Sequence, residues 1–464
     1  MSSMEWKYPR ALRLTGAACV LAASTIALSA QTLEQALVNA YFANPTINAQ
    51  RAATRVVDEQ VPQALAGYRP QIFGNAQADI DRTRTQSPAG TTNNRNYPRG
   101  YGVTAQQNLF NGFQTGNLVR SAESQVRAAR ETLRNTEQNV LLDAVTAYMN
   151  VIRDAAIVQL QQQNVQALNE QLRATNDRFQ VGELTRTDVA QAQARLRASE
   201  SALSAAQANL NASRANYRRA IGTEAGKLRA PNPYEKLRLA SLDAAIAEAF
   251  GKHPAIMAAR HGVDTAQLQV KVAEGSLLPQ LNLEAGVQRF SDPSPGIYNN
   301  FDMSAGLRLT VPIYQGGAEY SRVRQAKELT GQRQLESDVV RDQVRAAVIQ
   351  SWGLVSASRF QVEAAQSQVA AAQIALNGVR EEYRVGQRTT LDVLNAQAEL
   401  VNARVALVIA QRDRVVASYS LLSSIGRLTI AQLGLAKVEQ TYRPEKHYEQ
   451  VRDNWFGLRT PDGK

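Results

Sequence analysis

Two hydrophobic patterns alternate along this chain of 464 residues. Short stretches alternate apolar and polar residues one by one, as in a β-strand with one apolar face. The clearest are QLNLEAGVQRF at 280–290 and FDMSAGLRLTV at 301–311, with weaker counterparts after residue 70 and at 101–109. They predict four strands of roughly ten residues, arranged as two hairpins. The segments 87–96 and 291–300 are rich in turn-forming residues and are predicted to connect the paired strands.

Between the strand pairs, helical patterns run through the proline-free stretches 117–180 and 319–384. At 1.5 Å per residue, each predicted helix is roughly 100 Å long. The last helical stretch carries two neighbouring apolar seams, one from Leu391 to Leu422 and one from Val393 to Leu421. A single seam suits a two-stranded coiled coil, so two seams predict a helix with a neighbour on each side. A closed ring of helices has this requirement.

The chain is internally duplicated. RVGQRTTLDVLNAQAEL at 384–400 repeats the pattern of QVGELTRTDVAQAQARL at 180–196, and IYQG at 313–316 repeats that of LFNG at 109–112. Each half reads as helix, two strands, a very long helix, a turn and another long helix, so the fold is predicted as two structural repeats.

The predicted domain boundaries follow from this duplication. They are an export leader at 1–30; a first repeat at 31–230, with a β-hairpin at about 70–110 and a helical hairpin at about 114–221; a second repeat at 231–434, with the corresponding hairpins at about 279–314 and 319–426; and a tail at 435–464.

Pro70 and Pro279 precede the first strands, while Gly112 and Gly316 follow the second strands. These residues permit the change of backbone direction at each strand–helix junction. The tail leaves the heptad pattern, and the sequence allows it either to wrap around the helices or to stay mobile.

The first thirty residues have the pattern of a signal peptide. Lys7, Arg10 and Arg13 form a basic start, an apolar run follows to Leu28, and Ala30 offers a small residue for cleavage. A membrane anchor is the alternative, but the run is short of the roughly 20 residues that span a bilayer. A lipid-modified Cys19 is a second alternative. Because Cys19 is the only cysteine, no disulfide is expected, and no later apolar stretch predicts a transmembrane helix.

Charge and residue chemistry add little in favour of catalysis. The net charge of +11 is spread over helix faces, and an exported chain has no access to nucleic acid as a partner. The three histidines lack metal-ligand spacing, and no nucleophile motif occurs. GTEAGK at 222–227 resembles a phosphate loop but is one residue too short and lacks the following Ser or Thr. We therefore expect neither an enzyme nor a bound cofactor or metal.

The repeated turns contain the candidate functional residues. Gly182 and Gly386 mark the turns, and Asp188 and Asp392 fall in the first turn of the helix that follows. A carboxylate there stabilises the helix dipole, so a capping role is one interpretation of either aspartate.

Taken together, the signal peptide, the duplicated strand pairs and helical hairpins, the LFNG and PIYQGG junctions and the paired VGxxTxxDV turns resemble the TolC family of outer-membrane efflux proteins. The resemblance implies a mainly α fold with membrane β-structure. In it, three chains form an α-barrel of long antiparallel coiled-coil helices, joined to a shared twelve-stranded β-barrel with four strands per chain.

The same resemblance assigns a gate to the tips of the helical hairpins. It places Thr187 and Asp188 opposite Tyr383 and Arg388 as a tie that holds the tip shut. It also places Asp392 in a ring at the constriction. Where the family type member has a second aspartate, this chain has Asn395, so weaker binding of a blocking cation is expected.

The implied function is a passive exit duct of a tripartite efflux or type I secretion system, in the outer membrane and extending into the periplasm. The implied partners are two further copies of the chain, outer-membrane lipid, a periplasmic adaptor (membrane fusion) protein and an inner-membrane pump of the RND, ABC or MFS type. Drugs and proteins both remain open as cargo. A soluble periplasmic coiled-coil scaffold or adaptor is the alternative, and the strands distinguish the two.

Overall fold

A computed structural model describes residues 31–234, 241–435 and 441–461, so the predicted leader lies outside the described residues. The elements, in chain order, are α1 (Leu33–Ala43), α2 (Pro45–Asp58), α3 (Gln60–Leu65), a 3-10 turn (Ala66–Tyr68), β1 (Gln71–Ala78), β2 (Asp81–Ser87), β3 (Gly90–Asn96), β4 (Arg99–Asn111), α4 (Gln114–Gln180), α5 (Arg186–Ile221), α6 (Leu242–Lys252), α7 (Pro254–Gly275), β5 (Gln280–Ser294), β6 (Ile297–Thr310), α8 (Ala318–Arg384), α9 (Thr390–Ile425), α10 (Ile430–Leu433) and α11 (Pro444–Val451).

Four strands form one antiparallel sheet in the order β1-β4-β5-β6, and β2 pairs separately with β3. In β1–β4 the last pair is Ala78 with Arg99, and in β2–β3 the first pair is Asp81 with Asn96. Residues 79–80 on one strand and 97–98 on the other lie between these two pairs. Because both interruptions are two residues long, the register is unchanged, and β2–β3 extends the first hairpin. The prediction that 87–96 and 291–300 are connecting turns was therefore wrong for most of their length. The turns are two-residue, between Ser87 and Gly90 and between Ser294 and Ile297, because backbone pairing outweighs the turn preference of Asn and Ser.

The four-stranded sheet has one apolar and one polar face. In the apolar row, Val103 stands opposite Val287, and Val287 stands opposite Met303. On the other face, the Arg308 guanidinium donates to the Glu284 carboxylate at 2.9 Å. The apolar face has no cover among the described residues, since Met303 is 72% exposed. A face of this kind requires either lipid or another protein against it.

The long helices pack as two antiparallel hairpins. α4 and α8 each contain 67 residues, and α5 and α9 each contain 36. Along one side of α9, Leu400 and Ala403 pack on Leu376 of α8. Along another side, Leu394 packs on Leu168 of α4 and Leu196 of α5. The prediction that the last helix has neighbours on two sides is confirmed.

Among the described residues, α9 is the one helix long and apolar enough to cross a membrane by length and composition. No such helix after the leader is predicted from the sequence. The apolar character of α9 comes from its two seams, parts of which pack on α8, α4 and α5. These parts have protein neighbours inside the chain, while Leu391 and Ile409 are exposed.

The largest core lies where α4 and α5 meet α1 and the end of α9. Tyr148 and Tyr217 are fully buried there, with ring centroids 6.2 Å apart. The Tyr148 hydroxyl lies 2.7 Å from the carbonyl oxygens of both Gln31 and Arg229. This core therefore fixes the start of the described chain and the connection between the two halves.

The described part of the tail, 441–461, wraps around the helices. α11 packs on α2, where the fully buried Asp58 carboxylate lies 3.0 Å from Nδ1 of His447. The Arg130 guanidinium lies over the Tyr448 ring at 5.2 Å, and the Arg69 guanidinium donates to the carbonyl of Asn454 at 2.6 Å. Of the two alternatives left open by the sequence, the structure shows the wrapped tail.

Candidate functional site at the helical-hairpin tips

Both helical hairpins turn in the same way at their tips. α4 ends at Gln180 and α8 at Arg384, and the following Gly182 and Gly386 both have a φ of +81°. The Gly182 amide donates to the Phe179 carbonyl at 3.0 Å, and the Gly386 amide donates to the Tyr383 carbonyl at 3.1 Å. Glycine is favoured at these positions because other residues rarely adopt a left-handed conformation.

The next helix in each hairpin begins with a capping box. The Thr185 side chain accepts from the Asp188 amide at 3.3 Å, and the Thr185 amide donates to the Asp188 carboxylate at 3.0 Å. Thr389 and Asp392 repeat both bonds, at 3.3 Å and 2.9 Å. The Thr185 and Thr389 hydroxyls also donate to these carboxylates, at 2.7 Å and 2.8 Å. The bonds that the threonine hydroxyls and amides donate to the carboxylates hold the pKa of both carboxyl groups below its ordinary value. Asp188 and Asp392 are therefore negatively charged caps in the single chain.

Thr390 connects the two tips. It is fully buried, and its hydroxyl oxygen lies 3.4 Å from the Tyr383 hydroxyl. After the bonds from Thr185, a hydrogen bond from Thr390 also lowers the pKa of Asp188. Arg178 of the first hairpin lies over the Tyr383 ring at 5.2 Å. A polar path thus runs from Asp188 through Thr390 to Tyr383.

Arg388 makes a different contact from the expected one. Its guanidinium donates to the Glu382 carboxylate at 2.7 Å, within its own hairpin, and both side chains are about half exposed. Thr187 is exposed in the first turn of α5. Within the described ranges, no hydrogen bond or ion pair of this single chain joins Arg388 to Thr187 or Asp188. The tie through Arg388 stays a prediction about neighbouring copies.

The residues expected at the constriction lie at the start of α9. Asp392 is partly exposed, with Arg388 close enough to contribute to lowering its pKa. Asn395 is exposed, one helical turn further on, and its side-chain oxygen accepts from the Arg195 guanidinium of α5 at 2.8 Å. Asn395 therefore connects the two hairpins as Thr390 does.

The strand–helix junctions have the predicted residues at sharp turns. Pro70 and Pro279 come directly before β1 and β5. Gly112 has a φ of +64°, and a Cβ there would lie 2.2 Å from the Gly275 carbonyl oxygen. Gly316, with a φ of +70°, begins the turn into α8. The close approach at Gly112 excludes any side chain.

Comparison with known proteins gives the family. The sequence profile described as outer membrane efflux protein matches residues 32–223 and 245–427. The chain is 43% identical to the outer membrane efflux protein BepC of Brucella suis, over 99% of this chain and all of that protein. The chain belongs to the outer membrane efflux protein family.

Two further comparisons agree with this assignment. The chain is 27% identical to the outer membrane protein TolC of Escherichia coli, over 86% of this chain and 83% of that protein. The fold matches the CmeC outer membrane channel of Campylobacter jejuni with a TM-score of 0.77 and 16% identity, over 91% of this chain and 89% of that one. The protein is thus an outer-membrane efflux channel and not an enzyme, and its fold is that of the TolC-like channels.

Several tip residues of this efflux protein were missed from the sequence: Arg178, Arg195, Glu382 and Thr390. A signal for them exists in the duplication. Thr390 corresponds to Arg186 in the first repeat, and Glu382 corresponds to Arg178. Both are positions where the otherwise similar repeats differ in charge.

Proposed function

We propose that three copies of this chain close a single twelve-stranded barrel in the outer membrane and a continuous helical duct in the periplasm. The edges of the sheet support this proposal. Among the described strands, β1 pairs only with β4, and β6 pairs only with β5. β1 runs away from the helices and β6 runs back, so β6 of one copy can pair with β1 of the next in the antiparallel sense. Four strands are too few to close a barrel alone.

The dimensions of the apolar face fit a bilayer. From Phe301 to Val311 the face is ten residue steps long, about 34 Å at 3.4 Å per residue. A strand tilt of about 40° reduces this length to about 26 Å, close to the apolar band of outer-membrane barrels. The opposite face, with Glu284 and Arg308, then lines a polar lumen.

The helices also have surfaces that a neighbouring copy can cover. On α8, Phe360 is 66% exposed and Ile374 is 72% exposed. α5 presents small exposed residues, among them Ala194, Ser201 and Ala208. Large side chains of one helix pack closely on small residues of another, so α8 of one copy fits against α5 of the next.

The tips form the gate in this proposal. Three copies bring three Asp392 carboxylates near the symmetry axis, where their repulsion favours a bound cation. Thr187 and Asp188 of one copy meet Arg388 of another, in place of its exposed pair with Glu382. An exposed ion pair contributes about 0–1 kcal/mol, so the exchange of partners has a low cost.

Energy for transport comes from partners in this proposal. We propose a periplasmic adaptor and an inner-membrane pump as these partners, with small drugs or proteins as cargo. The soluble scaffold is the second candidate, but the uncovered apolar sheet argues against it. A soluble scaffold would have polar residues where Met303 and Leu307 are exposed.

Conductance tests the gate. The double variant Tyr383→Phe/Arg388→Ser is expected to raise the conductance of purified trimers in planar bilayers, because it removes both second-repeat side chains of the tie. Tyr383→Phe/Arg384→Ser is the matched control, since Arg384 is exposed and pairs with Glu381 at the same tip. Equal conductance of the wild type and the test variant, with heat-sensitive trimers intact on gels, would contradict the gate.

A further inference from the structure

Three arginines share one face of the β2–β3 hairpin. Arg82 stands directly opposite Arg95, and Arg84 follows Arg82 two residues later on the same face. Like charges directly opposite each other destabilise an antiparallel pair. The ranges that the structure describes contain no carboxylate paired with any of the three. The other face bears only Asp81 and uncharged residues, so the arginines are segregated rather than scattered.

The position of these arginines along the barrel wall is specific. The interruption between β1 and β2 is two residues long, so side chains keep their alternation between the two faces. Arg82 therefore points to the same face as Ile72, which stands opposite Ala105 in the apolar face. On β3 and β4, which run back toward the helices, Arg95 and Tyr101 also lie on this face. Away from the helices, the outward face therefore passes from aliphatic residues to a level that contains aromatic residues and Arg289. Beyond this level it continues through Arg99 to the guanidinium groups of the β2–β3 hairpin. The aromatic residues are Phe301, Tyr101 and Tyr97, which are 64%, 63% and 41% exposed.

This order matches the layers of a membrane surface. Aromatic girdles of outer-membrane barrels lie at the interface between hydrocarbon and head groups. Measured along the strand at about 3.4 Å per residue, Arg95 lies about 7 Å beyond Tyr97, the outermost of these aromatic residues, and about 20 Å beyond Tyr101. The three arginines thus lie beyond the girdle, on the side that faces lipid and not the lumen.

We propose that Arg82, Arg84 and Arg95 bind the phosphate groups of an outer-leaflet glycolipid. Guanidinium groups bind phosphate oxygens through paired, charge-assisted hydrogen bonds. Arg82 and Arg95 lie about 5 Å apart across the strands and Arg84 about 7 Å along its strand, so one or two phosphates can bridge them. An anion in this position also removes the like-charge repulsion of the empty hairpin. The inference rests on the proposed membrane orientation of the sheet.

Native mass spectrometry of purified full-length trimers tests this site, with diphosphoryl lipid A as the probe. The variant Arg82→Gln/Arg84→Gln/Arg95→Gln is expected to bind the probe at least about tenfold more weakly, because several charge-assisted bonds are lost. Dephosphorylated lipid A is expected to bind the wild type and this variant equally.

A face-exchanged variant is the matched control, because it keeps the composition and net charge. It moves each arginine by one residue, and a shift of one residue reverses the face of a strand. Its substitutions are Arg82→Thr with Thr83→Arg, Arg84→Thr with Thr85→Arg, and Arg95→Asn with Asn94→Arg. The variant is expected to lose the probe as the triple variant does. Retention of the probe by either variant refutes the site.

Two further measurements separate the causes of failure. Planar-bilayer conductance is expected to be the same for the wild type and the triple glutamine variant, since none of the three substitutions lies in the lumen or at the tips. The face-exchanged variant is used for probe binding alone, because it moves the arginines to the lumen side. Inorganic phosphate at millimolar concentration is expected not to displace the probe, and displacement would identify a site for free anions instead of lipid. If the wild type forms no channel in any bilayer, the proposed function fails. A conducting wild type with unchanged probe binding in the variants overturns the lipid site alone.

Discussion

The orientation of the sheet makes the strongest quantitative prediction, because neighbouring residues of β6 have opposite surroundings. Ala305 stands opposite Ala285 in a row that continues to Ala105. Ser304 stands opposite Gly286 on the other face, where Asp302 and Glu284 are neighbours. Both residues are exposed in the single chain. An arginine at 305 would face lipid without a carboxylate, while an arginine at 304 would face water with carboxylates beside it.

The expected cost follows from the depth of this row. Ala305 lies near the middle of the apolar band between Phe301 and Val311, and an arginine at the bilayer midplane costs about 2–4 kcal/mol. Three copies raise the cost for the trimer to about 6–12 kcal/mol. The variant Ser304→Arg is expected to change the stability by less than about 1 kcal/mol, since a lumen position stays hydrated.

The assay is equilibrium unfolding in urea of trimers refolded into lipid vesicles, with heat-sensitive mobility on gels as a second measurement. Ala305→Arg should prevent refolding or lower the unfolding midpoint strongly, Ser304→Arg should not, and Ala305→Leu should be neutral or stabilising. Equal effects of the two arginine variants would show that the apolar face does not contact lipid. That result would favour the soluble scaffold.

Two other predictions concern the tip and the tail. Asn395→Asp alone should strengthen channel block by a multivalent cation only weakly, because Arg195 would pair with the new carboxylate. The double variant Asn395→Asp/Arg195→Gln should strengthen the block strongly, and equal block of the single and double variants would contradict the Arg195 contact. His447→Ala should lower the free energy of unfolding by about 3 kcal/mol per chain, since it leaves the buried Asp58 carboxyl unpaired. The same variant should make α11 sensitive to limited proteolysis, whereas Asp58→Asn should leave α11 protected. Burial raises the pKa of Asp58, so the folded state retains this proton to higher pH than the unfolded state does. The contribution of Asp58 to stability therefore falls as the pH rises from about 3.8 through the folded pKa, and a wild type and an Asp58→Asn variant with the same pH dependence would refute this assignment.

The parts of the fold with a regular hydrophobic period could be predicted from the sequence. A spacing of three and four maintained over dozens of residues has no structural interpretation other than a long helix, and the long helices, antiparallel strands and duplication are all present. The two seams of α9 predicted its neighbours because apolar residues on two sides need cover on two sides. Local chemistry likewise identified the two aspartates, Asp188 and Asp392, as potential caps.

The misjudged and missed features depend on contacts between distant residues. β3 consists of polar residues such as Asn93 and Asn94, and its strand structure comes from pairing with β2, which no local preference reveals. The tail is held by Asp58 and His447, which are 389 residues apart in the chain. At the tips, the sequence pattern places Thr390 at the start of a helix. Its contact with Asp188, however, depends on how the two hairpins pack.

The two repeats differ in several side chains at their tips, and these differences bear on the proposed gate. The turns and caps are the same in both, because both must reverse a long helix at the same level. Tyr383, Arg388 and Thr390, however, correspond to Phe179, Leu184 and Arg186 in the first repeat. The second tip thus has the hydroxyl groups, while the corresponding first-repeat positions have two apolar side chains and one exposed arginine. Exposed ion pairs lie at both tips, Arg178 with Glu183 in the first and Arg388 with Glu382 in the second. In the proposed gate, the hydroxyl groups of the second hairpin, and not an ion pair by itself, therefore distinguish the two tips.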